Sequence, residues 1–259
     1  MERYSILFGG EKMIIVNKQL VGEIPLLEVC NESIQDVKAP TIFFIHGITS
    51  MKEMNLSYAY LLAEKGFRII LPDCTYHGER TNKKNETELG HVFWKIVIQT
   101  IHEIDFLRKH FSEQGKIDEN RIGIAGTSMG GFITLGALTQ YDWIKTAVSL
   151  MGCPNYEAFA RHKLSMLPKD TFSKEEIKDA LEKLAPYDLS KQPEKLHNRP
   201  LFCWHGKCDK EVPSNFIEKF YEDLKDSSQY FELVLDEKAD HKVSKQGMYK
   251  TVNWFQEYL

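Results

Sequence analysis

Ser128 stands in the stretch Arg121-Ile122-Gly123-Ile124-Ala125-Gly126-Thr127-Ser128-Met129-Gly130-Gly131, a G-x-S-x-G pattern between an apolar run and a helical pattern at Phe132 to Leu138. A serine in that setting can act as a nucleophile. A sharp strand-to-helix turn would hold it in a strained backbone conformation, with neighbouring chain so close that side chains at 126 and 130 would clash. Glycine at both positions relieves the crowding. The helix that follows would aim its first N–H groups at negative charge developing beside the serine. A bare G-x-S-x-G arises by composition alone in roughly one chain in ten of this length, so its partners must separate a nucleophile from a solvated serine in a glycine-rich turn.

A serine hydroxyl is a weak nucleophile at neutral pH and needs a base within hydrogen-bond reach, itself oriented by a third group. The chain order that accompanies such a turn is serine, acid, histidine. Asp209 follows the apolar run Leu201 to Trp204 through the turn His205-Gly206-Lys207-Cys208, and beyond Asp209 the only histidine is His241. His241 lies between an expected strand, Tyr230 to Leu235, and an expected final helix, Val243 to Tyr258. We therefore assign Ser128 as nucleophile, His241 as base and Asp209 as acid, with the adjacent Asp240 as a rival for the acid. A tetrahedral intermediate also needs two preorganised N–H donors. Met129 N–H follows the nucleophile, and Ile48 N–H lies in the turn His46-Gly47-Ile48 after the run Thr41 to Ile45. His46 itself precedes the serine and adjoins a glycine turn, a poor place for the base. His77-Gly78 after Asp73 reads as a structural turn that could border the pocket.

The elements that must position these residues alternate. Thr41 to Ile45, Phe67 to Leu71, Arg121 to Ala125, Thr146 to Met151 and Leu201 to Trp204 are short, nearly continuous apolar runs, the texture of strands covered on both faces. Between them, Phe93, Val97, Ile101, Ile104 and Phe111 form one stripe of a long amphipathic helix, and Phe216, Phe220 and Leu224 repeat the i, i+4 pattern after Pro213. Strands alternating with helices of this length imply a mainly parallel sheet and an α/β fold. Ile6 to Phe8 and Met13 to Val16 around Gly9-Gly10, and then Ile24 to Cys30, would supply strands before it. From about 153 to 198 the alternation breaks: prolines at 154, 168, 186 and 193 and many charges suggest an inserted cap on a single domain spanning 1–259. Tyr156, Phe159, Leu164, Met166 and Leu167 would either line an apolar pocket or pack the cap onto the body. A solvated connection with no substrate role is the plainer alternative.

The bulk properties bound the partners. The 259 residues are 42% hydrophobic and 27% charged, an ordinary globular mix able to bury a sizeable core. With 33 basic and 37 acidic residues interspersed, the net charge of -4 offers no basic face for nucleic acid. Five dispersed cysteines without a C-x-x-C pair fit reduced thiols. The amino terminus lacks a signal-peptide pattern, and no apolar run approaches the ~20 residues of a membrane span. A cytoplasmic protein that does not engage membranes is expected. Neither H-E-x-x-H, paired C-x-x-C nor G-x-x-x-x-G-K-[ST] occurs, so no metal or cofactor is expected. Activity should accordingly survive chelation and thiol alkylation.

Taken together, Ile45-His46-Gly47, Gly126-Thr127-Ser128-Met129-Gly130-Gly131, His205-Gly206-Lys207-Cys208-Asp209 with Val212-Pro213, and Asp240-His241 resemble the α/β-hydrolase superfamily. Within it, the chain is similar to small bacterial carboxylesterases related to dienelactone hydrolase and to the catalytic domain of prolyl oligopeptidase. The resemblance covers nearly the whole chain and is weakest in the cap. It implies an eight-stranded, mostly parallel sheet flanked by helices, a Ser-Asp-His triad and hydrolysis of small-molecule esters. Two departures bear on the chemistry: no β-propeller precedes the domain, which argues against a peptidase, and the nucleophile is serine rather than the cysteine of dienelactone hydrolase. Thioester and small-peptide hydrolysis are the alternatives, and a non-catalytic binding protein on the same fold is a fourth reading. The pattern carries no information on oligomeric state.

Overall fold

A computed structural model describes residues 2–6 and 13–259, apart from 82, 83, 169, 170, 197, 198, 227 and 229. The expected Gly9-Gly10 turn therefore lies outside the described residues. Among the described residues nine strands form one sheet: β1 (Glu2–Ile6), β2 (Ile14–Val21), β3 (Ile24–Asn31), β4 (Ala39–Ile45), β5 (Arg68–Pro72), β6 (Ile117–Thr127), β7 (Thr146–Leu150), β8 (Leu201–Gly206) and β9 (Phe231–Asp236). Their order is β1-β2-β3-β5-β4-β6-β7-β8-β9. From β5 to β9 all neighbours are parallel, whereas β1, β2 and β3 pair antiparallel. The eight strands β2 to β9 are those the α/β-hydrolase pattern calls for, and β1 extends the antiparallel edge by one more.

The helices are α1 (Leu56–Glu64), α2 (Glu86–His91), α3 (Phe93–Glu113), α4 (Met129–Gln140), α5 (Tyr156–Ser165), α6 (Lys174–Leu184), α7 (Asn215–Leu224) and α8 (Lys245–Tyr258). They cover both faces of the sheet, so each central strand feeds two cores. Phe43 and Ile45 of β4 face a cluster with Ile101 and Ile104 of α3 and Phe132 and Leu135 of α4. Ile42 and Phe44 face the opposite cluster, with Tyr58 and Leu62 of α1 and Val252 and Phe255 of α8. Both phenylalanines of β4 are fully buried, each burial being worth about 1.5–3 kcal/mol. The continuous apolar runs are continuous because neither face meets water.

Sequence boundaries shift where polar residues prolong an element. β6 starts at Ile117, before the apolar run, because Ile117 still pairs with Ala39 across a bulge. In α3, Val97, Ile101, Ile104 and Phe111 are buried as the stripe implies, joined by Ile96 and Leu107, while Phe93 is only half-buried.

Between β7 and β8 lie α5, α6 and short 3-10 turns at Ala185–Tyr187, Leu189–Lys191 and Pro193–Leu196. A Ser173–Glu176 capping box starts α6 by satisfying two of the N–H groups a helix leaves unpaired. Tyr156 and Phe159 of α5 are buried, and the Tyr156 hydroxyl donates to Phe132 O at 2.6 Å, tying this stretch to α4. Met166 and Leu167 are exposed, at 60% and 41%. Among the described residues no helix is long and apolar enough to cross a membrane.

Candidate active site

The turn between β6 and α4 bears out the steric argument made from its glycines. Ser128 has φ 56 and ψ -116, a left-handed conformation that a side-chain-bearing residue adopts only when its surroundings impose it. A Cβ on Gly126 would overlap the Gly130 carbonyl, and one on Gly130 would overlap the Ile45 carbonyl oxygen. Ser128 N–H donates to Leu150 O at 2.7 Å, pinning the turn to the end of β7. Because the obstructing atoms are backbone, Gly126→Ala is expected to destabilise the fold by about 3 kcal/mol, the upper range for an overpacked core. Urea denaturation checks this, and an unchanged midpoint would contradict it.

Asp209 and His241 arrive from the next two strand ends. Lys207 N–H donates to Asp236 O at 2.9 Å and Cys208 N–H to Ala239 O at 2.9 Å, lacing the loop after β8 to the loop after β9. Gly206 permits this approach, since a Cβ there would run into the carbonyls of Ala239 and Asp240. Ser244 then caps α8 through Gly247 N–H, ending the His241 loop.

Within this frame three side chains form one line. His241 Nδ1 lies 2.7 Å from Asp209 Oδ2, and His241 Nε2 lies 2.8 Å from Ser128 Oγ. A carboxylate only accepts, so Nδ1 carries the proton and Nε2 is free to accept from the serine hydroxyl. Asp209 Oδ1 is held by the N–H groups of Glu211 and Val212, both at 2.9 Å. Burial alone would raise this carboxyl. Hydrogen bonds from His205, His241 and Val212 N–H outweigh that effect and hold it well below the usual carboxylate range. It is therefore ionised at every ordinary assay pH. Asp240, the sequence rival, is exposed to solvent, and it is Asp209 that meets the ring of His241.

Met129 opens α4, where the first N–H groups have no acceptor within the helix. Ile48 follows Gly47, whose Cα sits so near Ser128 that a Cβ on it would lie 3.4 Å from Ser128 Cβ. Both residues assigned as N–H donors thus belong to the segments that flank Ser128.

Other buried groups surround the site without having been assigned roles from sequence. His205 Nε2–H donates to Val212 O at 2.7 Å and lies 3.4 Å from Asp209 Oδ2, so this buried histidine braces the acid loop. His46 is buried, and both ring nitrogens serve backbone: Nδ1–H donates to Gly47 O at 2.7 Å and Nε2 accepts from Cys74 N–H at 3.0 Å. Burial pushes it down to about 4. Lys52 is 1% exposed yet meets Asp73 at 2.7 Å, Glu79 at 2.7 Å and Glu53 at 3.0 Å. Burial would lower this ammonium, and the carboxylates more than restore it. The turn pattern His205-Gly206 was a visible clue to the first; nothing local pairs Lys52 with Asp73.

Beside the elbow, Phe93 and Trp94 of α3, Phe132 of α4 and Phe159 of α5 form a continuous set of ring contacts at centroid distances of 4.8 to 6.5 Å. Phe216 of α7 joins through Phe159 at 5.9 Å. A separate groove of about 450 Å³ between α5 and α6, lined by residues such as Arg161, Lys174, Ile177, Lys178, Leu181 and Lys191, includes none of Ser128, Asp209 or His241. Two of its rim cations, Arg161 and Lys191, both pair with Glu157. Among the described residues no group of three or more His, Cys, Asp or Glu side chains is arranged to hold a metal ion.

A serine elbow on a mostly parallel sheet, faced by a histidine and a carboxylate from later strand ends, defines an α/β-hydrolase. The match to a known family is direct. Residues 54–259 fit the prolyl oligopeptidase family, and the chain belongs to it and is an enzyme. It is 46% identical to a protein of Bacillus subtilis (strain 168) with the provisional name esterase YitV, over 95% of this chain and 100% of that one. It is 26% identical to esterase YjfP of Escherichia coli (strain K12), again over 95% and 100%. Among solved structures, a protein from Klebsiella pneumoniae provisionally titled dienelactone hydrolase superposes with a TM-score of 0.69 at 18% identity, covering 95% of this chain and 99% of that one. The expected resemblance to esterases of the prolyl oligopeptidase and dienelactone hydrolase group is thus met.

Proposed function

We propose that this enzyme hydrolyses carboxylic esters of small molecules through an acyl-enzyme formed on Ser128. The observation that carries the reading is the unbroken line Ser128 Oγ, His241 Nε2, His241 Nδ1, Asp209 Oδ2, with links of 2.8 and 2.7 Å. His241 Nε2 takes the hydroxyl proton as Ser128 Oγ bonds to the ester carbonyl carbon. The carbonyl oxygen becomes an oxyanion held by Ile48 and Met129 N–H. As the carbon–oxygen bond to the alcohol breaks, His241 returns the proton to the leaving oxygen. Water, deprotonated in turn by His241, attacks the acyl carbon; as the bond to Ser128 Oγ breaks, His241 returns the proton to Oγ and the acid leaves. Asp209 stays ionised throughout and stabilises the imidazolium.

Esters are favoured over peptides by the company the chain keeps. The two relatives it covers from end to end both carry esterase names, whereas it spans 35% of the Bacillus subtilis protein named peptidase YuxL. We read 153–198 as a cap over a single hydrolase domain. In support, Phe159 of α5 contacts Phe132 of the elbow helix at 4.8 Å, and Lys163 lies 3.9 Å from Glu211 in the acid loop. We place the enzyme in the cytoplasm, in keeping with its five free cysteines, of which Cys30, Cys74, Cys153 and Cys203 are buried.

A panel of p-nitrophenyl esters, a matched thioester and an aminoacyl amide tests the reading. Esters should turn over fastest, short acyl chains ahead of long ones, with rates unchanged by EDTA because no step uses a metal. Turnover confined to the amide, a steady rise in kcat/KM beyond octanoate, or loss on chelation with recovery on added metal would each contradict it.

A further inference from the structure

Two loops behind the oxyanion position are cross-braced by a pair of histidines, each reaching from its own loop to the backbone of the other. His46, at the end of β4, accepts from Cys74 N–H beyond β5; His77, beyond β5, accepts through Nε2 from Thr49 N–H beyond β4 at 3.2 Å. The two rings lie 5.1 Å apart. His77 Nδ1–H donates to Thr75 O at 2.9 Å, which places the ring proton on Nδ1 and leaves Nε2 an acceptor. Thr49, the residue so held, has φ 61, a strained conformation for a β-branched residue. Next to it is Ile48. A residue kept at positive φ persists only when its surroundings over-determine it, and the His77 bond acts on the very amide that follows Ile48. Farther along the same loop Lys52 N–H and Nζ both reach Asp73, at 3.0 and 2.7 Å, fixing its other end.

We infer that His77 is a positioning residue for ester hydrolysis: its neutral Nε2 holds Thr49 N–H and thereby sets the direction of the Ile48 N–H toward the oxyanion. The inference rests on the proposed roles of Ser128 and Ile48. Its energetic content follows from the transition state. The Ile48 N–H meets full negative charge only in the tetrahedral intermediate, so misdirecting it costs kcat and leaves ground-state binding almost untouched. Burial also lowers His77 from the ordinary histidine value, which keeps the ring an acceptor.

Two substitutions separate the ring nitrogens. His77→Asn places an amide N–H near Nδ1, able to serve Thr75 O, but is too short to reach Thr49; His77→Gln places an amide oxygen near Nε2 and can accept from Thr49 N–H. With a p-nitrophenyl ester, His77→Asn should lower kcat about 10- to 100-fold with KM within about twofold, somewhat less than outright loss of an oxyanion donor. A trifluoromethyl ketone, which forms a tetrahedral adduct, should lose affinity by the same factor. His77→Gln should recover most of the lost kcat. A folded Asn variant with kcat within threefold of wild type, equal losses in Asn and Gln, or an unchanged ketone affinity would overturn the inference. Should the Asn variant fail to fold by circular dichroism, the Gln variant decides alone: kcat reduced tenfold or more overturns the role, and retained kcat supports it. Ser128→Ala run in parallel tells the two levels apart. Turnover surviving in that variant defeats the Ser128 acyl-enzyme reading itself, whereas a dead Ser128→Ala beside an unimpaired His77→Asn defeats only the positioning role.

Discussion

Ser128→Ala is expected to fold like the wild type and to lose ester hydrolysis by a factor on the order of 10⁴ to 10⁶, as when a serine protease loses its nucleophile. The fold should survive because the hydroxyl contributes only its bond to His241, while the strained turn is secured by backbone: Ser128 N–H to Leu150 O, and Phe132 N–H to Ser128 O at 3.1 Å. Alanine keeps the Cβ and the same conformational cost at φ 56. The rate should fall because Ser128 Oγ is the group hydrogen-bonded to His241 Nε2 among the described residues. What remains would reflect oxyanion donors and binding acting on water. A p-nitrophenyl acetate assay with a matched thermal melt measures both halves, and a fluorophosphonate probe should label the wild type and not the variant. Turnover retained in pure, folded Ser128→Ala would remove the nucleophile assignment.

Asp209→Asn should cut kcat by on the order of 10⁴, the size seen when the acid of a serine-protease triad becomes an amide. The site explains the direction. Glu211 N–H and Val212 N–H both point at Oδ1, so an asparagine would place its oxygen there and turn its NH2 toward His241 Nδ1. A donor would then face a donor. The ring escapes by moving its proton to Nε2, the tautomer that can no longer take the serine proton. Since Asp209 is held well below the usual carboxylate range, protonating it offers no comparable change at assay pH, and the amide is the informative variant. Asp240→Asn should change kcat little, because that side chain is exposed and adjacent side chains on one backbone seldom face each other. Both variants measured from pH 5 to 9 decide the matter. A near-wild-type Asp209→Asn beside a dead, folded Asp240→Asn would overturn the assignment and leave Ser128 and His241.

The glycine-flanked turn at Ser128 and the alternation of strands and helices were legible from residues alone, because each is written in local steric or periodic constraints. Gly126 and Gly130 flank Ser128 in the chain itself, and the apolar runs of β4 to β8 need no partner to be recognised. Asp209 against Asp240 was a different kind of question. Both lie within reach of His241 on paper, and only the lacing of Lys207 and Cys208 to the loop after β9 turns Asp209 toward the ring. The same holds for Lys52 with Asp73 and Glu79 and for the His46–His77 brace. These are single residues on separate loops with no shared period, so their pairing exists only once the parallel strands β4 and β5 lie side by side. A chemistry that depends on a turn can be read along the chain; the direction of a proton or an N–H depends on what folds against it.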